Sequence, residues 1–261
     1  MPARRLIPLA GASITLDSGL ITMGTRGPLT VPIPTFLIEH ERGLVLFDTG
    51  LVPAAWSDPR AVYGDLVDMF ALDCPPENTL ENQIRLAGYA LSDVTHVVIS
   101  HSHFDHTGGM YLFPHAQFFM SEVDIRYAMW PDAYFRGFYR AADFEAVRDY
   151  AWNPLRADLD LFGDGSLVLY QTPGHTPGEI SLMVELAEAG KFLITGDTVH
   201  LRSGLQYECP CPVDYNAHQA IESIQRIKQL AASQNAQIWV LHDPDDWAKF
   251  AAAGAIVQAI R

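Results

Sequence analysis

Residues 101–109 constrain this chain more than any other segment, because they read HSHFDHTGG and follow the apolar run VVI at 97–99. Four metal-binding side chains, three imidazoles and one carboxylate, therefore fall within six positions just beyond a predicted strand. A packed core rarely accepts such groups side by side, since each must be hydrogen-bonded, paired or coordinated once it is buried. The pattern also differs from a nucleophile triad, whose members usually come from separate parts of the chain. It predicts half of a two-metal site.

The composition and charge of the chain limit its class and its partners. Of its 261 residues, 49% are hydrophobic and 18% are charged, which is typical of a globular protein, and we expect one domain over residues 1–261. The net charge of −14 disfavours nucleic acid, because phosphates would be repelled. No apolar run reaches the roughly 18 residues of a membrane span. The odd number of cysteines, Cys74, Cys209 and Cys211, indicates reduced thiols in a cytoplasmic protein rather than a disulfide framework.

Strand-like and helix-like segments alternate twice along the chain. Strands are predicted over residues 4–17, 35–40, 44–48, 96–100, 166–171, 180–185, 192–195 and 237–241. Helices are predicted over residues 77–87, 121–130, 143–152, 214–231 and 246–260, with Asp214 as the N-cap of the fourth. This order is typical of an α/β protein in which two sheets pack on each other and helices cover the outside.

Further candidate ligands lie where other predicted strands end. His175 occupies the turn TPGHTPG at residues 172–178, Asp197 ends the segment TGD at 195–197, and His242 follows the apolar residues 238–241. A two-metal hydrolase needs such additions, because one loop cannot saturate two ions about 3.5–4 Å apart. Asp48, at another strand exit, has two open roles: accepting loop hydrogen bonds, or orienting a metal-bound histidine.

Taken together, these motifs resemble the metallo-β-lactamase superfamily and, within it, the N-acyl homoserine lactonases. The resemblance extends over nearly the whole chain, and it implies an αββα sandwich of two mixed sheets with helices outside. It also implies a ligand set, in which one metal is bound by His101, His103 and His175, the second by Asp105, His106 and His242, and both by Asp197. Donor atoms of this kind suit two Zn²⁺ ions, and also Fe, Co or Mn.

The resemblance further implies a dinuclear-metal lactonase that opens N-acyl homoserine lactones, a quorum-quenching reaction, by attack of a hydroxide held between the metals. Asp105 would pass the proton to the leaving oxygen. The lactonases typically have Tyr three residues after the bridging Asp, whereas this chain has His200 there. We favour a role in which the His200 imidazole donates a hydrogen bond to the oxyanion over a purely structural role. The pocket for the acyl tail would be formed by Met23, Trp56, Met69, Phe70, Phe104, Tyr134 and Phe138.

Several alternatives stay open or are disfavoured. Asp197 stands where many true β-lactamases of this fold have Cys, which disfavours antibiotic hydrolysis. A lactonase for another ring, such as 4-pyridoxolactone, and a diiron redox protein of the same fold are the remaining candidates.

Residues 51–76, which contain four prolines, are predicted to be loop-like, either as a lid or packed on the body. We expect a small lactone as the partner and expect neither nucleic acid nor a membrane to bind. A homodimer is the candidate assembly.

Overall fold

The strands form three sheets within residues 2–251 and 256–257, the part of the chain that the computed structural model describes. In chain order the strands are β1 Arg5–Leu9, β2 Ser13–Asp17, β3 Pro28–Pro32, β4 Thr35–His40, β5 Gly43–Phe47, β6 Phe70–Asp73, β7 Val94–Val98, β8 Gln117–Ser121, β9 Ala151–Leu155, β10 Leu159–Asp160, β11 Leu167–Gln171, β12 Ile180–Leu186, β13 Gly190–Ile194, β14 Ala236–Trp239 and β15 Ile256–Val257. The helices are α1 Pro59–Tyr63, α2 Leu80–Leu86, α3 Phe104–Thr107, α4 Glu122–Met129, α5 Ala141–Ala146, α6 Arg202–Tyr207, α7 Ala217–Gln234 and α8 Pro244–Ala251.

Two of the sheets are mixed, as the predicted sandwich requires. The first has the order β15-β1-β4-β5-β7-β8-β9, antiparallel as far as β5 and parallel from β5 to β9. The second has the order β10-β11-β12-β13-β14, in which only the last pair is parallel. The predicted αββα architecture is confirmed. A third, antiparallel sheet, β3-β2-β6, was not predicted.

Alternating side chains bury both faces of the central strands. In β4, Phe36 and Ile38 belong to the core between the two mixed sheets, whereas Leu37 packs in the layer of α2 and α5. In β12, Leu182 faces the same central core and Met183 packs in the layer of α7. Because successive side chains in a strand point to opposite faces, strands that are apolar at every position are stable only between two covering layers. The helices therefore lie outside both sheets.

The strand directions bring the candidate ligands to one edge of the sandwich. Strands β5 and β7 run parallel, so Asp48 and the segment 101–106 leave the first sheet at the same end. Strands β11, β13 and β14 share one direction in the second sheet, and their carboxyl ends lead to His175, Asp197 and His242. A hydrogen bond of 2.9 Å from Ile180 N to Ser100 O joins the two sheets at this edge.

The structure corrects several predicted element bounds. Helix α7 begins at Ala217, not at residue 214, because Asn216 Oδ1 accepts the backbone N–H groups of His218 and Gln219. The predicted helix at 143–152 is wrong beyond Ala146, since its last residues enter β9 and pair with β8. The predicted strand at 4–17 is two strands, β1 and β2, in different sheets.

The C-terminal helix and the loop at 51–76 also differ from prediction. Helix α8 covers Pro244–Ala251, and Ile256–Val257 pairs with β1 as a strand, so the predicted helix is wrong there. The prediction for residues 252–255 and 258–260 lies outside the described residues. The segment 51–76, predicted to be loop-like, contains α1 and β6. None of the helices in the described ranges has the length and apolarity to cross a membrane.

Candidate metal centre

The carboxylate of Asp197 lies between two groups of histidines. Its Oδ2 atom is 3.8 Å from His101 Nε2 and 3.5 Å from His175 Nε2. Its Oδ1 atom is 3.6 Å from His106 Nε2 and 3.0 Å from His242 Nε2. Each oxygen therefore faces one group, which is the arrangement of a carboxylate that bridges two ions.

The remaining two predicted ligands complete the two groups. His103 Nδ1 lies 3.0 Å from His175 Nε2, on the side of Asp197 Oδ2. Asp105 Oδ2 lies 3.6 Å from His106 Nε2 and 3.9 Å from His242 Nε2, on the side of Asp197 Oδ1. The structure thus brings all seven predicted ligand residues together, with ligand atoms in each group of three within 4.8 Å of one another.

Several polar atoms at the centre of this cluster are buried and make no hydrogen bond, although they lie close to one another. The Nε2 atoms of His101 and His106 and the Oδ1 atom of Asp197 have no hydrogen bond within the described part of the chain. A buried polar atom left without a partner typically costs about 1–3 kcal/mol, so this concentration of them calls for a bound group. The donors are imidazole and carboxylate, without a thiol, a set that suits divalent transition metals. The residues present fit two metal ions.

A second layer of acceptors orients the histidines. His106 Nδ1 lies 2.9 Å from Asp48 Oδ2, His175 Nδ1 lies 2.8 Å from Asp214 Oδ1, and His242 Nδ1 lies 2.6 Å from the carbonyl oxygen of Pro32. An acceptor at Nδ1 keeps the proton on that nitrogen and leaves the Nε2 lone pair free for a metal.

Asp48 makes the contacts that both of the roles left open by the sequence would need. Its Oδ1 atom accepts the backbone N–H of Ser100 at 2.7 Å, while Oδ2 faces His106. The residue is 1% exposed and has φ of +62°, so the chain accepts an unfavourable backbone conformation at this strand exit.

The cluster shifts the pKa values of its ligand residues in different directions. Burial, and then the neighbouring His106, lower the pKa of His101 well below its usual value. Burial would raise the pKa of Asp197, but His242 and His106 outweigh it and hold that pKa well below the usual range. Burial would lower the pKa of His106, but three neighbouring carboxylates, Asp105 foremost, outweigh it and raise that pKa well above its usual value. Because metal ligands must be neutral imidazoles and ionised carboxylates, metal binding at His106 would release a proton.

Sequence reasoning missed three buried carboxylates around the cluster. Asp214, predicted as a helix cap, instead faces His175 and also accepts the backbone N–H of Cys211 at 2.8 Å. Asp124 accepts the backbone N–H groups of Ser102 at 2.7 Å and Gly178 at 3.2 Å, which ties two ligand loops together. Glu179, fully buried, lies against the central histidines. The sequence signal for these three residues is an acidic side chain a few positions from a ligand or at the start of a helix. Exposed surface residues often show the same pattern, so the signal does not single them out.

An apolar cavity of about 670 Å³, including its open mouth, lies beside the cluster. Four of the predicted pocket residues line it, namely Met69, Phe70, Phe104 and Phe138. The ring of Phe70 stacks on Phe104 with centroids 5.6 Å apart, and the ring of Tyr63 meets Phe104 edge-on at 4.9 Å. The segment 51–76 therefore packs on the body and forms part of the wall at the same time.

The structure places the other three predicted pocket residues away from this cavity. Met23 projects from a turn and is 74% exposed. Tyr134 is 77% exposed and packs edge-on against Phe135. Trp56 donates its Nε1–H to the carbonyl oxygen of Pro75 and borders a different cavity. The structure replaces them with an unpredicted wall from the third sheet and its neighbours, comprising Ile14, Leu16, Leu20, Ile21, Val31 and Val213.

His200 also points into the centre. Its side chain is buried, and Nε2 lies 3.2 Å from Asp197 Oδ2, on the side of His101, His103 and His175. His200 borders the apolar cavity as well, so a molecule in the cavity would meet this imidazole next to the ligand cluster.

Comparison with known proteins agrees with this geometry. The profile of the metallo-β-lactamase superfamily matches residues 30–233. N-acyl homoserine lactonase AttM of Azorhizobium caulinodans is 31% identical over 252 residues, which cover 94% of this chain and 95% of the relative. The chain belongs to the N-acyl homoserine lactonase family of the metallo-β-lactamase superfamily.

Solved structures agree with the superfamily fold. A structure described as an N-acyl homoserine lactone hydrolase, with the product N-hexanoyl-L-homoserine at its catalytic metal centre, gives a TM-score of 0.84 at 24% identity and covers 95% of this chain and 97% of its own. AidC, described as a dizinc quorum-quenching lactonase, gives a TM-score of 0.71 at 16% identity and covers 100% of this chain and 94% of its own. At these identities the likeness concerns the fold alone.

Proposed function

We propose that this protein is a metal-dependent lactonase that opens the ring of N-acyl homoserine lactones. The observation that carries the proposal is the position of the apolar cavity, which ends directly at the cluster of seven ligand residues. A substrate with a polar ring and an apolar tail matches this combination, since the ring would reach the cluster while the tail occupies the cavity. The family relationship to lactonases supports the same substrate class.

We assign one ion to His101, His103 and His175, the other to Asp105, His106 and His242, and Asp197 to both. When bound, two divalent ions supply Lewis acidity and a water that is activated near neutral pH. Zn²⁺ is the proposed metal, because nitrogen and carboxylate donors suit it. Asp197 fixes the two ligand groups relative to each other, since its two oxygens face different groups.

The three free cysteines support a cytoplasmic location.

The chain's own side chains account for the remaining steps of hydrolysis. The water oxygen bonds to the ring carbonyl carbon, the ring C–O bond breaks, and the product is the open hydroxy acid. His200 is placed to donate from Nε2 to the carbonyl oxygen as charge develops there. Asp105, at the border of the cavity, is placed to pass the proton to the departing ring oxygen.

The cavity wall favours an acyl tail over a small polar aromatic ring. The pyridine ring of a substrate such as 4-pyridoxolactone would need polar or basic partners in the wall. The residues that line the cavity within the described ranges include neither Lys nor Arg. Beyond the cluster and His200, the wall consists of aliphatic and aromatic side chains, Met69 and Cys211.

A panel of lactones tests the proposed function. Proton release should be measured together with bound metal for N-acyl homoserine lactones of increasing acyl length, 4-pyridoxolactone and a β-lactam. We expect kcat/KM to rise with acyl length by up to about fourfold for each buried methylene, which corresponds to about 0.8 kcal/mol. Faster turnover of 4-pyridoxolactone, or full activity in protein stripped of metal, would contradict the proposal.

His200→Ala should lower kcat by about 10²-fold, because a positioned donor to a developing oxyanion contributes that much. His200→Tyr should restore most of the loss, since the phenol also donates a hydrogen bond. His218→Ala, in an exposed position on α7, is the matched control and should behave as wild type. An unchanged kcat in His200→Ala would assign this imidazole a structural role only.

A further inference from the structure

Glu179 contacts two residues of the ligand cluster. The residue precedes β12 and is fully buried. Its Oε1 atom accepts the backbone N–H of Asp197 at 3.0 Å, and its Oε2 atom lies 3.2 Å from His101 Nδ1. One side chain thus links the bridging carboxylate to a histidine of the first metal position.

The backbone at Gly196 is shaped to allow this contact. Gly196 has φ of +57°, and a Cβ atom there would lie 2.3 Å from Glu179 Oε1. Any side chain would therefore push the 196–197 backbone away from the carboxylate. The absence of a side chain at 196 lets the Asp197 N–H reach Glu179.

Within the described residues, the neighbours of His101 Nδ1 are oxygen atoms. Besides Glu179 Oε2, Ser100 Oγ lies 3.0 Å from this nitrogen. The Ser100 hydroxyl donates its own hydrogen to Asp48 Oδ2 at 2.9 Å, so it presents a lone pair to His101. The contact from Glu179 Oε2 to His101 Nδ1 is close but is not aligned as a hydrogen bond, and no other hydrogen bond reaches Oε2 within the described residues. Both oxygens present lone pairs to Nδ1, which favours a proton on that nitrogen and leaves the Nε2 lone pair of His101 directed into the cluster.

We propose that Glu179 is a positioning residue that strengthens binding at the first metal position, by keeping the His101 proton on Nδ1 and by holding the backbone of Asp197. The proposal rests on the metal centre assigned under the proposed function. It concerns a residue that does not touch substrate and acts only through His101 and Asp197.

The charge of Glu179 separates this role from a purely structural one. Glu179 is fully buried and is bonded to the backbone of Asp197, so without cations a negative charge on its side chain is costly to bury. With cations present, the negative charge of Glu179 becomes favourable. Glu179 should therefore stabilise the metal-bound protein and not the metal-free protein, whereas a structural residue would stabilise both.

Glu179→Gln tests the proposal because it keeps the size of the side chain. The amide oxygen can still accept the Asp197 N–H, which turns the amide NH₂ toward His101 Nδ1. A metal on Nε2 requires a proton on Nδ1, so two donors would face each other. Without metal, His101 can move its proton to Nε2 and accept from the amide. We expect chelator-competition titration with Zn²⁺ to show one ion bound about 10–100-fold more weakly, and the other little changed.

Thermal unfolding and a control variant complete the test. The Tm of metal-free Glu179→Gln should equal or exceed that of metal-free wild type. Asp160→Asn is the matched control, because Asp160 also accepts two N–H groups, those of Gly163 and Gly165, in a turn outside the cluster. It should leave both Zn²⁺ affinities unchanged. Two tightly bound ions in Glu179→Gln, or a lowered metal-free Tm, would overturn the role of Glu179 alone. A wild type that binds no Zn²⁺ would overturn this role and the proposed function together.

Discussion

Asp197→Asn should lower kcat/KM for lactone hydrolysis by at least about 10³-fold and reduce the bound metal to one ion or fewer. The two oxygens of Asp197 face different histidine groups, with His175 Nε2 3.5 Å from Oδ2 and His242 Nε2 3.0 Å from Oδ1. An amide keeps one oxygen and presents NH₂ to the other group, where it cannot bind a cation. It also removes the negative charge that balances the two ions. The change preserves the volume of the side chain, so the loss would be chemical rather than steric.

Metal analysis and steady-state kinetics on the same preparations check this prediction. Asp160→Asn again provides an Asp-to-Asn change outside the cluster and should retain full activity and two ions. If Asp197→Asn kept two ions and turned over lactone like wild type, Asp197 would not bridge two metal positions. The central element of the proposed site would then be wrong.

His106→Ala should have an effect of similar size on kcat/KM, at least about 10³-fold, and should also destabilise the protein. The change removes the Nε2 ligand that faces Asp197 and Asp105. It also leaves the buried Asp48 carboxylate without its imidazole partner, 2.9 Å away in wild type. Loss of one partner of a buried ion pair costs roughly 3–5 kcal/mol, so we expect a lower Tm as well as a lost ion.

A double variant separates the two consequences of His106→Ala. In His106→Ala with Asp48→Asn, the unpaired charge is gone, so part of the lost Tm should return while activity stays absent. His115→Ala is the control, because His115 is exposed and follows the segment 101–109 in the sequence. This variant should match wild type in activity, metal content and Tm. Wild-type activity in His106→Ala would show that the second ligand group is not part of the reaction centre.

The local sequence was sufficient to predict the ligand cluster. Polar side chains that follow apolar strands, such as His101, Asp197 and His242, have few roles in a packed core and meet at one sheet edge when the strands run in the same direction. The alternation of strand-like and helix-like segments likewise predicted the sandwich, because strands that are apolar at every position need cover on both faces.

Bounds and neighbours depended on contacts that sequence patterns do not contain. Asp214 has the character of a helix cap, but Asn216 is closer to the first helical N–H groups and Asp214 turns to His175 instead. Similarly, Met23 and Phe70 are equally apolar residues in turn-rich segments. The pairing of β6 with β2 places Phe70 beside Phe104, whereas Met23 lies in a turn and is exposed.

The sequence by itself determined the type of fold and the donor atoms of the centre, because strand periodicity and ligand-rich strand ends are local properties of the chain. Only the tertiary structure decided which acceptor holds each imidazole, which oxygen of Asp197 faces which group, and that the third sheet forms the cavity wall. These depend on side chains such as Glu179 and Asp48, which approach His101 and His106 from distant parts of the sequence. Their carboxylates resemble surface charges until packing buries them beside the ligands.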